Sequence, residues 1–463
     1  MLYIILFFLL RLPSLFEPYW YGDEGIYLAL GQGIRQGLLL FQQIHDNKPP
    51  TLYYLAAFSQ TVFGFRLLLL ILMIPTIYIF YRLAQKFLSP RLTTFSTLLF
   101  LVLTSIPFIE GSIANAEVFM LLPTILAIYL FLFHQKSRYS LLVSGLLLGL
   151  AFTIKVPVAF EAAFLGLWIL IFQKSKLKKI ILFSLAFTLP IFLYLIYFTL
   201  KGALQPFLFA ALLQNFGYLS SWSTGTQQSS VASGGLMWRG LILLITWILS
   251  YFLYHRRVIS KNLLFLSAWF FAALFGALLS GRPYPHYLIQ ILPPFCILVF
   301  YFSKARLWIL FTTFLLIFSL FHYKYYFYPV FSYYANFYTY ALGKKSLDSY
   351  RQYFGEEMNQ NYLLANEIKS KTTPEDRIYV WGDQSYLYPL SDRLPSTKYI
   401  VAYHVVDFNA YDLTISQLKA ITPKLIIYYP QPSRPFPSLD IFIADYYSLI
   451  NQIGPAYIFE LRQ

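Results

Sequence analysis

From residue 2 to residue 323 the chain is a succession of apolar runs separated by short polar links. The runs are 2–17, 64–84, 92–109, 117–134, 139–155, 157–173, 180–200, 236–254, 262–280, 287–303 and 307–323. A helix of roughly 20 apolar residues crosses the hydrocarbon core of a bilayer. Lipid offers backbone polar groups no partner, so each crossing segment must satisfy its own hydrogen bonds as a helix. The spacing therefore predicts a polytopic α-helical membrane protein of about eleven spans. Charged residues make up 12% of the chain, against about 25% in an average soluble domain. The first run has no basic start and no small-residue cleavage site, and many runs follow it, so it reads as a span rather than a leader.

The net charge of +15 suggests a polyanionic partner until its distribution is examined. Basic residues gather in alternate links: Arg82, Lys86 and Arg91; Lys136 and Arg138; Lys174, Lys176, Lys178 and Lys179; Arg256, Arg257 and Lys261; Lys304 and Arg306. This is the bias that keeps links in the cytoplasm, and it needs no nucleic acid. It predicts a cell-membrane protein with a cytoplasmic N-terminus. The outer links are then 18–63, 110–116, the turn near Lys155, 201–235, 281–286 and everything after 323. Asp23, Glu24, Asp46, Glu110 and Glu117 all fall on or beside them. The single cysteine, Cys296, lies in an apolar run and excludes an intramolecular disulfide.

The chain is expected to divide into a membrane module over 1–325 and a small extracytoplasmic α/β domain over 326–463. In the latter, β-rich runs (377–382, 398–403, 424–429, 456–461) alternate with helical stretches near 350–371, 410–421 and 438–451. The outer loop 18–63 exceeds the length of an ordinary connection. Ile26, Leu30, Ile34 and Leu38 recur in it at helical spacing, which predicts an amphipathic helix at the membrane surface. A second helix is expected to open at Pro49–Pro50. The stretch "SSWSTGTQQSSVASGG" (220–235) has no periodicity. It reads either as a passive linker or as a lid over a site.

Ionisable groups beside a membrane are costly and mark candidate sites. Asp23 and Glu24 either cap the helix that follows or supply a general base. Lys48, in "HDNKPP" beside Asp46, suits a phosphate near a helix start; the alternative is a snorkelling lysine. Lys155 in "GLAFTIKVP" has the same two readings. Arg282 and His286 stand together at an outer link, where an arginine runs against the charge bias and calls for an anionic partner. Tyr287 beside them is either an interface aromatic or part of the same site. Glu117 is either a helix-end carboxylate or a second acid facing an acceptor. There is no Cys/His ligand motif for a metal, but Asp23, Glu24 and Glu117 are the oxygen ligands a divalent ion would take. Together these groups suit an anionic, lipid-anchored substrate and a carboxylate that activates a nucleophile.

The blocks "GDEGIYLALGQGI", "DNKPPTLYYL", "ANAEVFMLLP", "GLLLGLAFTIKVP" and "GRPYPHYLIQILPP" resemble, in order, those of GT-C membrane glycosyltransferases. The branch is that of the protein O-mannosyltransferases and aminoarabinose transferases, glycosyltransferase family 39. The resemblance covers roughly residues 15–325. It implies a polyprenyl-phosphate sugar as donor, transfer with inversion, and an acceptor that is lipid, glycan or protein. It places the base on Asp23, with Glu24 beside it. Lys48, with Asp46, falls near the donor phosphate, and Glu117 is the second outer acid. Lys155, Arg282, His286 and Tyr287 fall among donor-binding positions. Rival readings are a transporter or flippase of a lipid-linked sugar, an O-antigen ligase or polymerase, and a membrane scaffold. A transporter would carry its ionisable groups at the midplane with internal repeats. A ligase would carry a basic outer loop, whereas 201–235 holds only Lys201.

Overall fold

A computed structural model describes residues 2–133, 137–214, 231–301 and 306–462. It divides into two compact units. One comprises Met1–Leu12, Leu68–Leu204 and Ala211–Val330; the other comprises Pro13–Leu67, Gln205–Ala210 and Phe331–Gln463. The segment Pro13–Leu67 thus folds with the C-terminal segment rather than with the helices that follow it in sequence.

The first unit is helical. Among the described residues four helices are long and apolar enough to cross a membrane: Val62–Ala84, Ala116–Phe133, Lys176–Leu200 and Leu236–His255. Shorter apolar helices stand at the other expected runs, including Pro90–Leu103, Arg138–Phe152, Val158–Phe172, Lys261–Ala277 and Arg306–His322. Leu177, Leu185, Phe192 and Leu193 project outward from the Lys176–Leu200 helix. An apolar face of that extent is at home in lipid, not water. The run 287–303 departs from a regular span. It opens as a 3-10 segment, Pro285–Ile291, and continues as Leu292–Leu298. Pro285, Pro293 and Pro294 each remove a backbone donor. Likewise 92–109 is α-helical only to Leu103; a 3-10 turn, Pro107–Ile109, follows and ends at Glu110, which takes a left-handed backbone, φ 61°. Lys136, Lys304 and residues 215–230 of the loop expected over 201–235 lie outside the described residues; elsewhere in that loop Leu204–Leu208 and Phe209–Leu213 are helical, and 231–235 begin the helix Val231–His255.

The second unit holds a five-stranded sheet. Its strands are β1 (Arg377–Trp381), β2 (Leu394–Pro395), β3 (Leu425–Tyr428), β4 (Tyr447–Ile453) and β5 (Ala456–Leu461), in the order β2-β1-β3-β5-β4. β1 runs parallel to β2 and β3, and β5 antiparallel to β3 and β4. One face, with Tyr379, Trp381 and Ile426, packs on Val405, Leu418, Leu439 and Phe442 from three helices. Two expectations need correction. The run 398–403 is not a strand: the Lys398 carbonyl accepts from the His45 amide at 3.1 Å, the Ala402 amide donates to the Gly382 carbonyl at 2.9 Å, and the run leads into the helix Ala402–Asp407. The helix expected over 438–451 ends at Tyr446, and 447–453 form the edge strand β4.

The expected helix in loop 18–63 is present as Gly22–Arg35, and Pro50 caps a second, Thr51–Ser59. The first helix has no open polar face along its middle, however. Every residue from Glu24 to Gly33 is buried. Its glycines explain how closely neighbours pack on it. A Cβ at Gly31 would lie 2.6 Å from the Ala57 backbone nitrogen, and one at Gly25 would lie 3.0 Å from that of Tyr386. Gln32 donates to Asp392 at 3.0 Å, and the His45 amide to the Lys398 carbonyl at 3.1 Å. The loop is thereby built into the α/β domain.

Candidate active site

The predicted site residues fall into two groups, one in each unit. In the second unit, Asp23 and Glu24 open the Gly22–Arg35 helix on adjacent positions, so their side chains leave it about 100° apart. Their fates differ accordingly. Asp23 keeps its side chain 30% exposed. It accepts a hydrogen bond from the Tyr27 hydroxyl at 2.9 Å, one helical turn on, and pairs with Lys48 at 3.3 Å. Glu24 is buried and forked on Arg66, with Nε to Oε1 at 2.8 Å and Nη2 to Oε2 at 2.5 Å. Arg66 also meets Glu17 at 2.6 Å and donates to the Ser14 carbonyl at 2.9 Å. Tyr333 and Trp20 donate to Glu17 at 2.5 and 2.6 Å. This network satisfies charges that burial would otherwise leave costly. It leaves Asp23, not its neighbour, facing outward.

Lys48 is held by its surroundings. Its ammonium lies 3.3 Å from Asp23 Oδ2, 3.8 Å from Asp46 Oδ2 and 4.8 Å from the centre of the Tyr27 ring. Asp46 is buried and accepts from the Tyr53 hydroxyl at 2.7 Å, while that hydroxyl accepts from the Lys48 amide at 3.0 Å. Burial beside the Asp46 carboxylate pushes the Tyr53 phenol well above its usual range, so it stays a donor. Pro49 and Pro50 set the turn that returns Tyr53 to this point. From the α/β domain, His404 Nε2 stands 3.8 Å from Asp46 Oδ1. Burial holds the His404 pKa below its usual value, so the ring is neutral near pH 7.

In the first unit, Glu117 in the short helix Ala116–Phe119 meets Lys155 at 2.6 Å. His286 Nε2 lies 3.9 Å from the same Glu117 oxygen, and His286 Nδ1 contacts Glu110 Oε2. Lys155 sits over the Tyr287 ring, 4.8 Å from its centre. The left-handed Glu110 backbone is fixed by Arg11, which donates to the Thr104 and Gly111 carbonyls at 2.7 and 2.6 Å. Arg282 lies in the same connection as His286, half-buried, its amide donating to Ser280 at 3.3 Å. Below, Glu161 accepts from Trp269 at 2.8 Å and Gln290 at 3.1 Å, tying the Pro285–Ile291 segment to the helix that follows Lys155.

Glu110, Tyr27, Tyr53, Arg66 and His404 join these clusters without having been predicted to act there. Only Glu110 carried a signal, as a further acid on an outer link. No group of three His, Cys, Asp or Glu suited to a metal occurs among the described residues. Asp23, Glu24 and Glu117, the oxygen ligands expected for a metal, instead each face a cation of the chain itself, Lys48, Arg66 and Lys155. No step is derived through a metal.

Residues 47–198 match the family model described as dolichyl-phosphate-mannose-protein mannosyltransferase. Among curated proteins none matches. The fold is that of ArnT from Cupriavidus metallidurans. The crystal structure of that protein bound to undecaprenyl phosphate aligns with TM-score 0.63 at 12% identity, covering 99% of this chain and 97% of that one. Its apo structure aligns with TM-score 0.58, also at 12% identity, over the same shares of the two chains. The chain thus resembles that family over residues 47–198 and shares the fold of ArnT along nearly its whole length, with several helices apolar and long enough to cross a membrane.

Proposed function

We propose that the chain is an inverting glycosyltransferase. It would move a sugar from a polyprenyl-phosphate donor to an acceptor on the outer face of the membrane. The observation that carries this reading is the Asp23–Lys48–Asp46 arrangement: a partly open carboxylate beside a lysine steered by a second, buried carboxylate. Asp23 takes the proton of the acceptor nucleophile as that atom attacks the anomeric carbon. The carbon–oxygen bond to phosphate breaks on the opposite face, which inverts the centre. Lys48 exchanges a carboxylate partner for the departing phosphate, where charge develops in the transition state. Asp46 and Tyr53 keep the ammonium in place. Glu24 acts through Arg66 as a positioning residue for the helix that carries Asp23.

Lys155, Arg282, His286 and Tyr287 are assigned to the donor's phosphate and sugar, with Glu117 as the second acid. Lys155 and His286 are held by Glu117 and Glu110, and cations so held can change partners to a phosphate at little cost in reorganisation. Support for the donor class also comes from the match over 47–198 and from the fold shared with ArnT, crystallised with undecaprenyl phosphate. The basic links argue for a cytoplasmic N-terminus and an extracytoplasmic α/β domain over 326–463, beside a membrane module over 1–325. The reading is tested by offering purified protein a panel of labelled polyprenyl-phosphate sugars. Label passing to lipid, glycan, peptide or water supports it; no transfer from any donor contradicts it.

A further inference from the structure

Between Lys324 and Lys344 the chain carries no charged residue, but seven tyrosines and three phenylalanines. Most of this stretch is the helix Val330–Ala341, which from Phe331 onward belongs to the unit that holds the sheet. One face of it is tied down. Tyr333, Asn336 and Phe337 are buried. Tyr333 donates to Glu17, Asn336 donates to the Tyr350 carbonyl at 3.1 Å, and the Phe337 ring lies 5.5 Å from that of Phe16. The other face is a stripe at helical spacing, Phe331, Ala335, Tyr338 and Leu342, and all four are exposed. The Leu342 amide still donates to the Tyr338 carbonyl, at 3.0 Å, so the stripe continues past the last helical residue. Phe331 is 91% and Leu342 68% open. A surface helix in water turns charged and polar residues outward. This one turns outward two aromatic rings and a leucine, flanked by Ser332 and Thr339 but by no charge.

Two features commit this face to lipid. Its inner side rests on Phe16, the end of the apolar helix Tyr3–Phe16. Ile4, Phe8, Leu12 and Phe16 recur along that helix at helical spacing and are all exposed, the stripe a lipid-facing helix presents. On the other side, residues 323–330 join the stripe to the apolar helix Arg306–His322, on which Phe314 and Phe321 project outward. The stripe is thus tethered between two segments whose own exposed faces suit a bilayer. Tyrosines beside such segments, with lysines beyond them, match the headgroup level of a membrane. There a ring meets the acyl boundary and an ammonium meets phosphate. Lys344 is exposed two positions past Leu342, whereas Lys345 is held by Asn336 at 2.5 Å.

We propose that the Val330–Ala341 helix is an interfacial contact through which the sheet-bearing unit rests on the phospholipid surface. Phe331, Tyr338 and Leu342 enter the acyl boundary, and Lys344 meets lipid phosphate. Full-length protein in nanodiscs of phosphatidylcholine and phosphatidylglycerol tests this. Phe331→Cys, Leu342→Cys and Ser416→Cys are each labelled with a fluorophore. Cys296 is fully buried and does not compete for the label. Phe331 and Leu342 are open, so their exchange leaves the fold intact. Lipid carrying a nitroxide just below the headgroup should remove most of the emission at the Phe331 and Leu342 sites. It should remove little at Ser416, exposed on the helix Tyr411–Ala420 beside Asp412 and Lys419. Aqueous iodide should do the reverse. Quenching of the Phe331 and Leu342 sites by iodide but not by lipid nitroxide would overturn the proposal. Lipid quenching at Ser416 equal to that at Phe331 would overturn it too. Protection of the Phe331 and Leu342 sites from both quenchers would mean that another protein chain covers the stripe, and would also overturn it. No readout here depends on sugar transfer, so the transferase reading stands or falls separately.

Discussion

Arg66 grips Glu24 at two points, 2.8 and 2.5 Å, with neither side chain open to solvent. The pair is thus placed to hold the fold rather than to exchange protons. Breaking a buried pair by removing one partner costs about 3–5 kcal/mol. Glu24→Ala and Arg66→Ala should each lower the thermal midpoint sharply in detergent. Asp23→Asn should leave it within the span of an ordinary surface change, about 0.5 kcal/mol. A Glu24→Ala protein that melts normally yet transfers no sugar would move Glu24 into the chemistry.

Gly31 should not tolerate a methyl group. Its Cβ would meet the Ala56–Ala57 backbone, which cannot rotate away. Overpacking of that kind costs about 1–3 kcal/mol. Gly22→Ala, with nothing within 4 Å, is the matched control. Equal melting of the two variants would show that the two helices of the first outer loop do not pack closely.

The apolar runs and the block from Asp23 to Pro50 were legible because each is local: hydropathy marks the apolar helices, and charge among apolar flanks marks the residues that cluster around Lys48. The environment of the Gly22–Arg35 helix was not. Its apolar spacing reads as one-sided, while Tyr386, which closes on it at Gly25, lies far along the chain. Glu110 was visible as an acid on an outer link, but its role depends on a left-handed backbone and on His286, 176 residues away. The run 398–403 has strand composition, yet its backbone groups are taken by partners distant in sequence, the His45 amide and the Gly382 carbonyl. The division between Asp23 and Glu24 depends on Arg66, whose own position in an apolar run hid its partners.

His404 makes stability depend on pH. Its folded pKa lies below the usual 6.5 because burial outweighs the pull of Asp46, Asp407 and Asp383, and Lys48 adds to the lowering. The unfolded chain therefore takes the proton first. Stability contributed by the neutral ring is present above about pH 6.5 and is lost as pH falls toward the folded value. Thermal midpoints measured from pH 7.5 to 5 should fall more steeply in wild type than in His404→Gln. Parallel curves would remove His404 from the titration.

Glu161 should matter to the first unit through the groups it holds. Glu161→Ala leaves Trp269 Nε1 without its acceptor and leaves Gln290 only its 3.4 Å bond to the Pro157 carbonyl. An unsatisfied buried donor costs about 1–3 kcal/mol. Glu161→Gln should retain at least one of the two bonds and lose less. Amide exchange over 285–291 should rise in the alanine variant and change less in the glutamine one. No change in either would show that the segment bearing His286 is held by other contacts.

The most direct test of the central claim compares Asp23→Asn with Lys48→Ala for two quantities on the same preparations: affinity for polyprenyl phosphate and single-turnover transfer from the labelled donor. Asp23→Asn should bind the lipid phosphate about as wild type does and lose transfer by roughly 10²-fold or more, the range of a lost general base. Lys48→Ala should weaken lipid-phosphate binding. Near-normal turnover in Asp23→Asn would reduce that carboxylate to a partner of Lys48 and contradict the account.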